Sequence, residues 1–126
     1  MLSEEQIRDD GWREELNKRH SWMGGKYGLH FEHLGGWRFL MKDLLERIEA
    51  TLVTPEERGG FQVSQIKEKF GALRFYSYGG DDRIDRLVAS AEAASGITCD
   101  VCGGRGRTQG RGWISTRCEK HEDWRG

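Results

Sequence analysis

Cys99-Asp100-Val101-Cys102 and Cys118-Glu119-Lys120-His121 are two pairs of soft ligands, each with a two-residue spacer, separated by fifteen residues near the end of a 126-residue chain. Zinc takes thiolate and imidazole readily. Having no geometric preference from its d electrons, it closes a tetrahedron from two short-spaced pairs that a hairpin brings together. Gly103 lets the backbone turn tightly after Cys102 so that both thiolates face one metal. Trp113-Ile114-Ser115-Thr116 reads as the strand that delivers Cys118, and Cys118 and His121 then share the first turn of a short terminal helix. The spacing predicts a treble-clef or zinc-ribbon-like finger over residues 97–126, holding one Zn2+ through Cys99, Cys102, Cys118 and His121. Four protein ligands leave no position for water or substrate, so the ion is expected to be structural. Removing it should unfold the finger, with Trp113 as the reporter. The alternative, buried thiols beside a surface His121, leaves the double spacing without a cause.

Hydrophobic residues make up 36% of the chain, charged residues 33%, and mean hydropathy is -0.77, so the core is lean and in need of a staple. Twenty Lys and Arg against 21 Asp and Glu give a formal charge of -1, and three thiolates on a divalent ion take it to about -2. Such a balance argues against binding to nucleic acid by bulk charge. Nothing approaches the eighteen or so consecutive apolar residues of a membrane span, and Met1-Leu2-Ser3-Glu4-Glu5 lacks the basic segment of a signal peptide. Three cysteines confined to the last quarter suit metal ligation in a reducing compartment. The expectation is an intracellular, cytoplasmic protein with no membrane partner.

Ser3-Glu4-Glu5-Gln6 has capping-box spacing and opens a helix to about His20, with Ile7, Trp12 and Leu16 as its sparse apolar face. Residues 21–36, with glycines at 24, 25, 28, 35 and 36, read as an irregular aromatic loop. Trp37, Leu40, Met41, Leu44, Leu45, Ile48 and Leu52 then recur at helical spacing on one face, which predicts core. Thr54 to Gly60, with the single proline, reads as a solvated connection. Phe61 to Ile66 and Ala72 to Tyr78 predict a β-hairpin about the turn Lys67-Glu68-Lys69-Phe70-Gly71, and Asp81 or Asp82 caps a helix carrying Ile84, Leu87, Val88 and Ala91. The class is α+β, helices packed on a β-hairpin, in one domain with a mainly helical part (1–54), a hairpin plus helix (60–96) and the finger (97–126).

No catalytic constellation stands out. His30-Phe31-Glu32-His33 lacks the one-turn spacing of a helical zinc protease site, and His20 beside Trp22 reads as a cap or a surface group. A His-Asn-His nuclease can share a treble-clef scaffold, but Trp113-Ile114-Ser115-Thr116-Arg117 supplies no histidine ahead of Cys118. Between the ligand pairs, Gly103 to Gly112 holds five glycines and three arginines, Arg105, Arg107 and Arg111. This is either a solvated loop or a phosphate-binding one. The hairpin mixes Phe70, Phe75, Tyr76 and Tyr78 with Lys67, Lys69 and Arg74, as a single-strand binding sheet does. One face must pack on helices, so most of those rings are expected in the core.

Gly36-Trp37, Gln65-Ile66-Lys67-Glu68-Lys69-Phe70-Gly71-Ala72-Leu73-Arg74-Phe75-Tyr76, Ala91-Glu92, the Cys99 and Cys102 knuckle, Gly112-Trp113-Ile114 and Cys118-x-x-His121 together resemble a group of small phage and prophage proteins. These carry an IKEKFGxLRFY segment ahead of a terminal Cys-x-x-Cys and Cys-x-x-His finger. The resemblance covers roughly residues 35–121, implies a viral or prophage setting and a zinc finger, and supplies no catalytic residue. Cys99 to Gly106 also matches the Cys-x-x-Cys-x-Gly-x-Gly pattern of J-domain chaperone fingers, once and without repeats, which is shared knuckle geometry. The leading expectation is a non-enzymatic accessory protein that binds a host protein or ribonucleoprotein in the bacterial cell, in the manner of an inhibitor of a defence system such as CRISPR. Its expected surface is Lys69, Arg74, Tyr76 and Tyr78 on the hairpin with Arg105, Arg107 and Arg111 on the finger loop. The alternative is a finger that binds nucleic acid, as a single strand or a structured site.

Overall fold

A computed structural model describes residues 1–125; Gly126, the end of the expected finger, lies outside the described residues. Where one helix was expected from Ser3 to His20 there are two, α1 (Glu4–Arg8) and α2 (Trp12–His20). The Ser3 capping box starts the first as predicted, but Asp9 is extended (φ -80, ψ 123) and ends it. The Arg38 guanidinium supports the break by taking the carbonyl oxygens of Gln6 (2.9 Å) and Asp9 (3.4 Å), groups a continuous helix would have paired internally. Beyond the break Trp12 and Leu16, one turn apart on α2, are buried in the core, while Ile7 of α1 packs against the cysteine cluster instead.

The glycine-rich aromatic stretch is more ordered than a loop. Two short 3-10 turns, broken by a kink at Gly25 (φ 63, ψ -143), occupy Ser21–Tyr27, and β1 (Phe31–Glu32) follows, paired in parallel with a later strand through Phe31↔Ile66. Two residues are too few to show alternation, so the sequence carries no strand signal here. A further 3-10 turn, Gly35–Trp37, runs directly into α3 (Arg38–Thr51). The stripe predicted for this helix is buried at Trp37, Met41, Leu44, Leu45, Ile48 and Leu52 and half-buried at Leu40. The supposed solvated connection contains a one-turn helix, α4 (Pro55–Gly59), with Thr54 and Glu57 forming a reciprocal cap and Pro55 at its first position.

β2 (Gln62–Lys69) and β3 (Ala72–Tyr78) form the expected antiparallel hairpin, but β2 runs on to Lys69 and the turn is only Phe70-Gly71. Both turn residues have positive φ, 54 at Phe70 and 82 at Gly71, which is the backbone of a tight hairpin whose twist matches its strands. α5 (Asp82–Ser95) starts with Asp81 accepting from the backbone N–H groups of Arg83 and Ile84, as the sequence indicated. The chain ends with β4 (Arg107–Gln109), β5 (Ser115–Arg117) and a 3-10 turn, Glu119–His121.

The strand order of the main sheet is β1-β2-β3, and β4-β5 is a separate two-stranded hairpin. Inward residues Val63, Ile66, Leu73 and Phe75 join the buried faces of α3 and α5 in one core with Trp12, Leu16 and Phe31. The fold is thus mixed helix and sheet with a Cys/His cluster at its C-terminal end, as the class implied. α5 also covers the outer edge of β3: the Leu73 N–H donates to Ser95 Oγ (2.9 Å) and the Phe75 N–H to Glu92 Oε2 (3.0 Å). Those two bonds occupy part of the edge on which another strand could template. Among the described residues no helix is long and apolar enough to cross a membrane.

Candidate metal centre and neighbouring surfaces

The knuckle is built by local backbone bonds. Gly103, at φ 78, allows its N–H to reach Cys99 O (2.9 Å), while the Gly104 N–H points at Cys102 Sγ (3.4 Å). A residue with a side chain at Gly103 would be strained there. β4 and β5 carry the chain back, and the 3-10 turn after Cys118 presents His121, whose N–H donates to Cys118 O (3.1 Å). The strand reading of Trp113 to Thr116 was two residues early, since β5 begins at Ser115 and Trp113 is 78% exposed.

The donor atoms of Cys99, Cys102, Cys118 and His121 all lie within 4.8 Å of one another. Zinc–sulfur bonds of about 2.3 Å in a tetrahedron put sulfurs about 3.8 Å apart. Cys102 Sγ and Cys118 Sγ are 3.8 Å apart, Cys99 Sγ and His121 Nδ1 3.9 Å, and Cys118 Sγ and His121 Nδ1 a tighter 3.1 Å. The four residues therefore fit one metal ion. Cys99 and Cys102 are fully buried, Cys118 and His121 partly so. Burial first, and the neighbouring thiols after it, push the Cys102 thiol up to about 11, the Gly104 N–H opposing. Only a cation on the donors makes several thiolates at this spot stable together at neutral pH.

The rest of the chain grips this site through its backbone. The Leu2 N–H donates to Cys102 O (2.7 Å), the Gly36 N–H to Asp100 O (2.8 Å) and the Trp37 indole to Thr98 O (2.9 Å). Gly36 is fixed by contact, since a Cβ there would stand 2.3 Å from Cys99 O. Val101 packs in a small cluster with the cysteines, Ile7, Leu34 and Trp124, so the amino-terminal segment closes over the metal group. On the other side Arg117 donates to the buried Asp100 carboxylate (3.1 Å) and to Trp124 O (2.8 Å). Burial raises the Asp100 pKa and Arg117 opposes it. The Thr116 hydroxyl donates to Gly71 O (2.5 Å), docking the hairpin turn on β5.

The histidines do not converge. His30 is exposed with Nε2 by Tyr27 O, and His33 is buried and stacked on Trp12. His20, expected as a cap or a surface group, is buried, with Nδ1 3.1 Å from Glu49 Oε1 of α3, the same oxygen that accepts from the Trp22 indole N–H. Among the described residues no second group of His, Cys, Asp and Glu is gathered for a metal.

The seven residues expected at a partner surface separate into two sets. Lys69, Arg74, Tyr76 and Tyr78 share the outer face of the hairpin with Lys67, opposite the buried Ile66 and Phe75. The finger arginines have separate surroundings. Arg105 bridges Thr98 beside the knuckle, Arg107 faces Glu122 at 3.7 Å, and Arg111 lines a cleft of about 1090 Å3 with Glu68, Trp113, Arg117 and Trp124. Contrary to the expectation of mostly buried rings, only Phe75 among the hairpin aromatics is core; Phe70, Tyr76 and Tyr78 are 62%, 46% and 67% exposed. The Asp100–Arg117 pair had no sequence signal, being a contact made only when β5 pairs with the knuckle.

No family model matches the chain, and neither does any curated protein or solved structure.

Proposed function

We propose that the protein is a non-catalytic binding module stapled by one structural zinc ion on Cys99, Cys102, Cys118 and His121, with a treble-clef or zinc-ribbon-like finger as its carboxyl-terminal part. The observation that carries this reading is the convergence of four donor atoms within 4.8 Å of one another, near enough for one tetrahedral ion to draw together. Zinc bound there cross-links the knuckle to the terminal turn and, with all four positions taken by protein, offers no site for chemistry. The residues around it supply packing and backbone bonds. In the phage or prophage setting that the sequence resemblance implies, the module acts in the bacterial cytoplasm by occupying a host macromolecule, and obstruction of a defence complex such as CRISPR is the activity to assay.

Metal analysis of the purified chain tests the first step: one zinc per chain, lost in Cys102→Ser and Cys118→Ser, is the expected result. A chain that folds without metal, or that carries iron, overturns it. Affinity capture from bacterial lysate with the zinc-loaded protein, with and without nuclease, tests the second. A stoichiometric partner lost with the Lys69→Ala, Arg74→Ala, Tyr76→Ala and Tyr78→Ala variant places binding on the hairpin; retention there and loss with Arg105→Ala, Arg107→Ala and Arg111→Ala places it on the finger.

A further inference from the structure

The register of the hairpin sorts its side chains. Ile66 and Phe75 pair on the buried face, while Gln62↔Tyr78, Gln65↔Tyr76, Lys67↔Arg74 and Lys69↔Ala72 pair on the opposite one. The helices α3 and α5 serve the buried face, which leaves the outer one open. Among the described residues Lys67, Lys69 and Arg74 have no ion-pair partner, and Lys67 Nζ stands 6.0 Å from the centre of the Tyr76 ring. The intervening Glu68 is drawn away to the Gly71 N–H (2.7 Å). The register puts one carboxylate, Glu32 of β1, beside Lys67, and Asp85 and Glu92 of α5 border the other edge, Glu92 being engaged with the Phe75 N–H.

We infer that this face binds single-stranded RNA, with Tyr76 and Tyr78 stacking on two bases and Lys67, Lys69 and Arg74 taking the phosphates between and beside them. The inference rests on the reading of the chain as a non-catalytic binding module and names what it binds. Lys67, Lys69 and Arg74 offer a polyanion three cations free of ion pairs toward the hairpin tip, with Glu32 in register beside them and Asp85 and Glu92 at the α5 edge, although the chain as a whole is acidic. The two exposed rings add nothing to the core; beside them stand the polar Gln62, Ser64 and Gln65 of β2, with Val88 and Ala89 of α5 along one edge. Alternate residues of one strand stand about 7 Å apart, twice the stacked base step of about 3.4 Å, so neighbouring bases reach both rings only when splayed, as in a single strand. An amide opposite each tyrosine offers a donor and an acceptor to a ribose 2′-hydroxyl, the group that separates RNA from DNA.

The test is fluorescence anisotropy of the zinc-loaded full chain with a labelled 12-nucleotide RNA of mixed sequence, the same sequence as DNA, and duplex RNA, across a salt series. Expected are tighter binding to single-stranded RNA than to either competitor and a slope of log K against log salt near about -2, for three phosphates at about 0.7 each. Tyr76→Ala and Tyr78→Ala should each weaken binding about five-fold or more with the slope unchanged, and Tyr76→Phe should restore it. Lys69→Ala should reduce the slope by about 0.7. Wild-type affinity in both alanine variants, a preference for duplex, or tighter binding to DNA overturns the assignment. Zinc content and urea midpoint measured on the same samples separate the two failures. A chain without zinc refutes the module itself, whereas a zinc-loaded chain indifferent to RNA refutes only this assignment.

Discussion

Acid should destabilise this protein through His33, by an amount that follows from its surroundings. The imidazole stacks on Trp12 at 5.3 Å between ring centres, with Trp37 at 5.6 Å and Phe31 at 6.0 Å around it. Its Nδ1 lies 2.8 Å from Leu34 O, and since a carbonyl only accepts, the neutral ring carries its proton there, leaving Nε2 buried and without a partner. Burial lowers the pKa from 6.5 to about 4, the Leu34 bond opposing and the Arg13 charge assisting. Above pH 6.5 the ring is neutral in both states and costs nothing. Between 6.5 and 4 the unfolded chain takes a proton that the folded one refuses, so stability falls by about 1.4 kcal/mol per pH unit as pH drops, and by about 3 kcal/mol over the interval. The cysteines and histidine of the proposed zinc site add their own acid sensitivity, which wild type shares with His33→Phe. Urea denaturation of both proteins at pH 7.5, 6.5, 5.5 and 4.5, at fixed free zinc, therefore isolates His33 in the difference between the curves. The gap should change by roughly 2–3 kcal/mol in favour of the variant below pH 6.5; parallel curves would show that the ring is neither dry nor neutral in the folded state.

Gly36→Ala sets a Cβ 2.3 Å from Cys99 O and 2.5 Å from Asp100 O, backbone atoms that cannot swing aside, so zinc affinity measured by chelator competition should fall at least about ten-fold. Metal removal should shift the emission of a variant retaining only Trp124, which packs on the cysteine cluster, while one retaining only Trp113, already 78% exposed, should not respond. That corrects the choice of Trp113 as reporter. Phe70→Gly should raise stability by about 1 kcal/mol in urea denaturation, because Phe70 holds φ 54 at the hairpin tip and buries little there; a loss instead would mean that the ring packs in solution.

What could be read from the sequence was whatever a short window encodes. The α3 stripe, the Ser3 and Asp81 caps, the hairpin strands and the Cys/His group depend on spacings of two to four residues, and they are found where the spacing put them except that β2 runs three residues further, to Lys69. What escaped depends on partners distant in the chain. β1 exists because β2 lies beside it, the α1–α2 break is supported by Arg38, and His20 is buried because Glu49 of α3 comes to meet it. The hairpin aromatics were misjudged for the same reason. Composition shows that rings are present, but only register and the position of α3 and α5 decide that Phe75 faces in while Tyr76 and Tyr78 face out.

The arrangement also gives the proposed metal a reason to sit at one end of the chain and not the other. The part up to residue 96 owns an aliphatic and aromatic core continuous from Trp12 to Ala91, whereas beyond it Val101 is the only fully buried aliphatic side chain among the described residues. So little apolar surface cannot order a knuckle, a hairpin and a terminal turn, and a tetrahedral cross-link does it with four side chains. The junctions make the effect non-local. Leu2 and Ile7 rest on the knuckle, Gly36 and Trp37 bond to it, and Gly71 at the hairpin tip accepts from Thr116. If the proposed ion is bound there, its loss should loosen α1 and the β2–β3 turn together with residues 97–125, and the outer face of that hairpin would lose its anchored end without any of its own side chains having touched the metal.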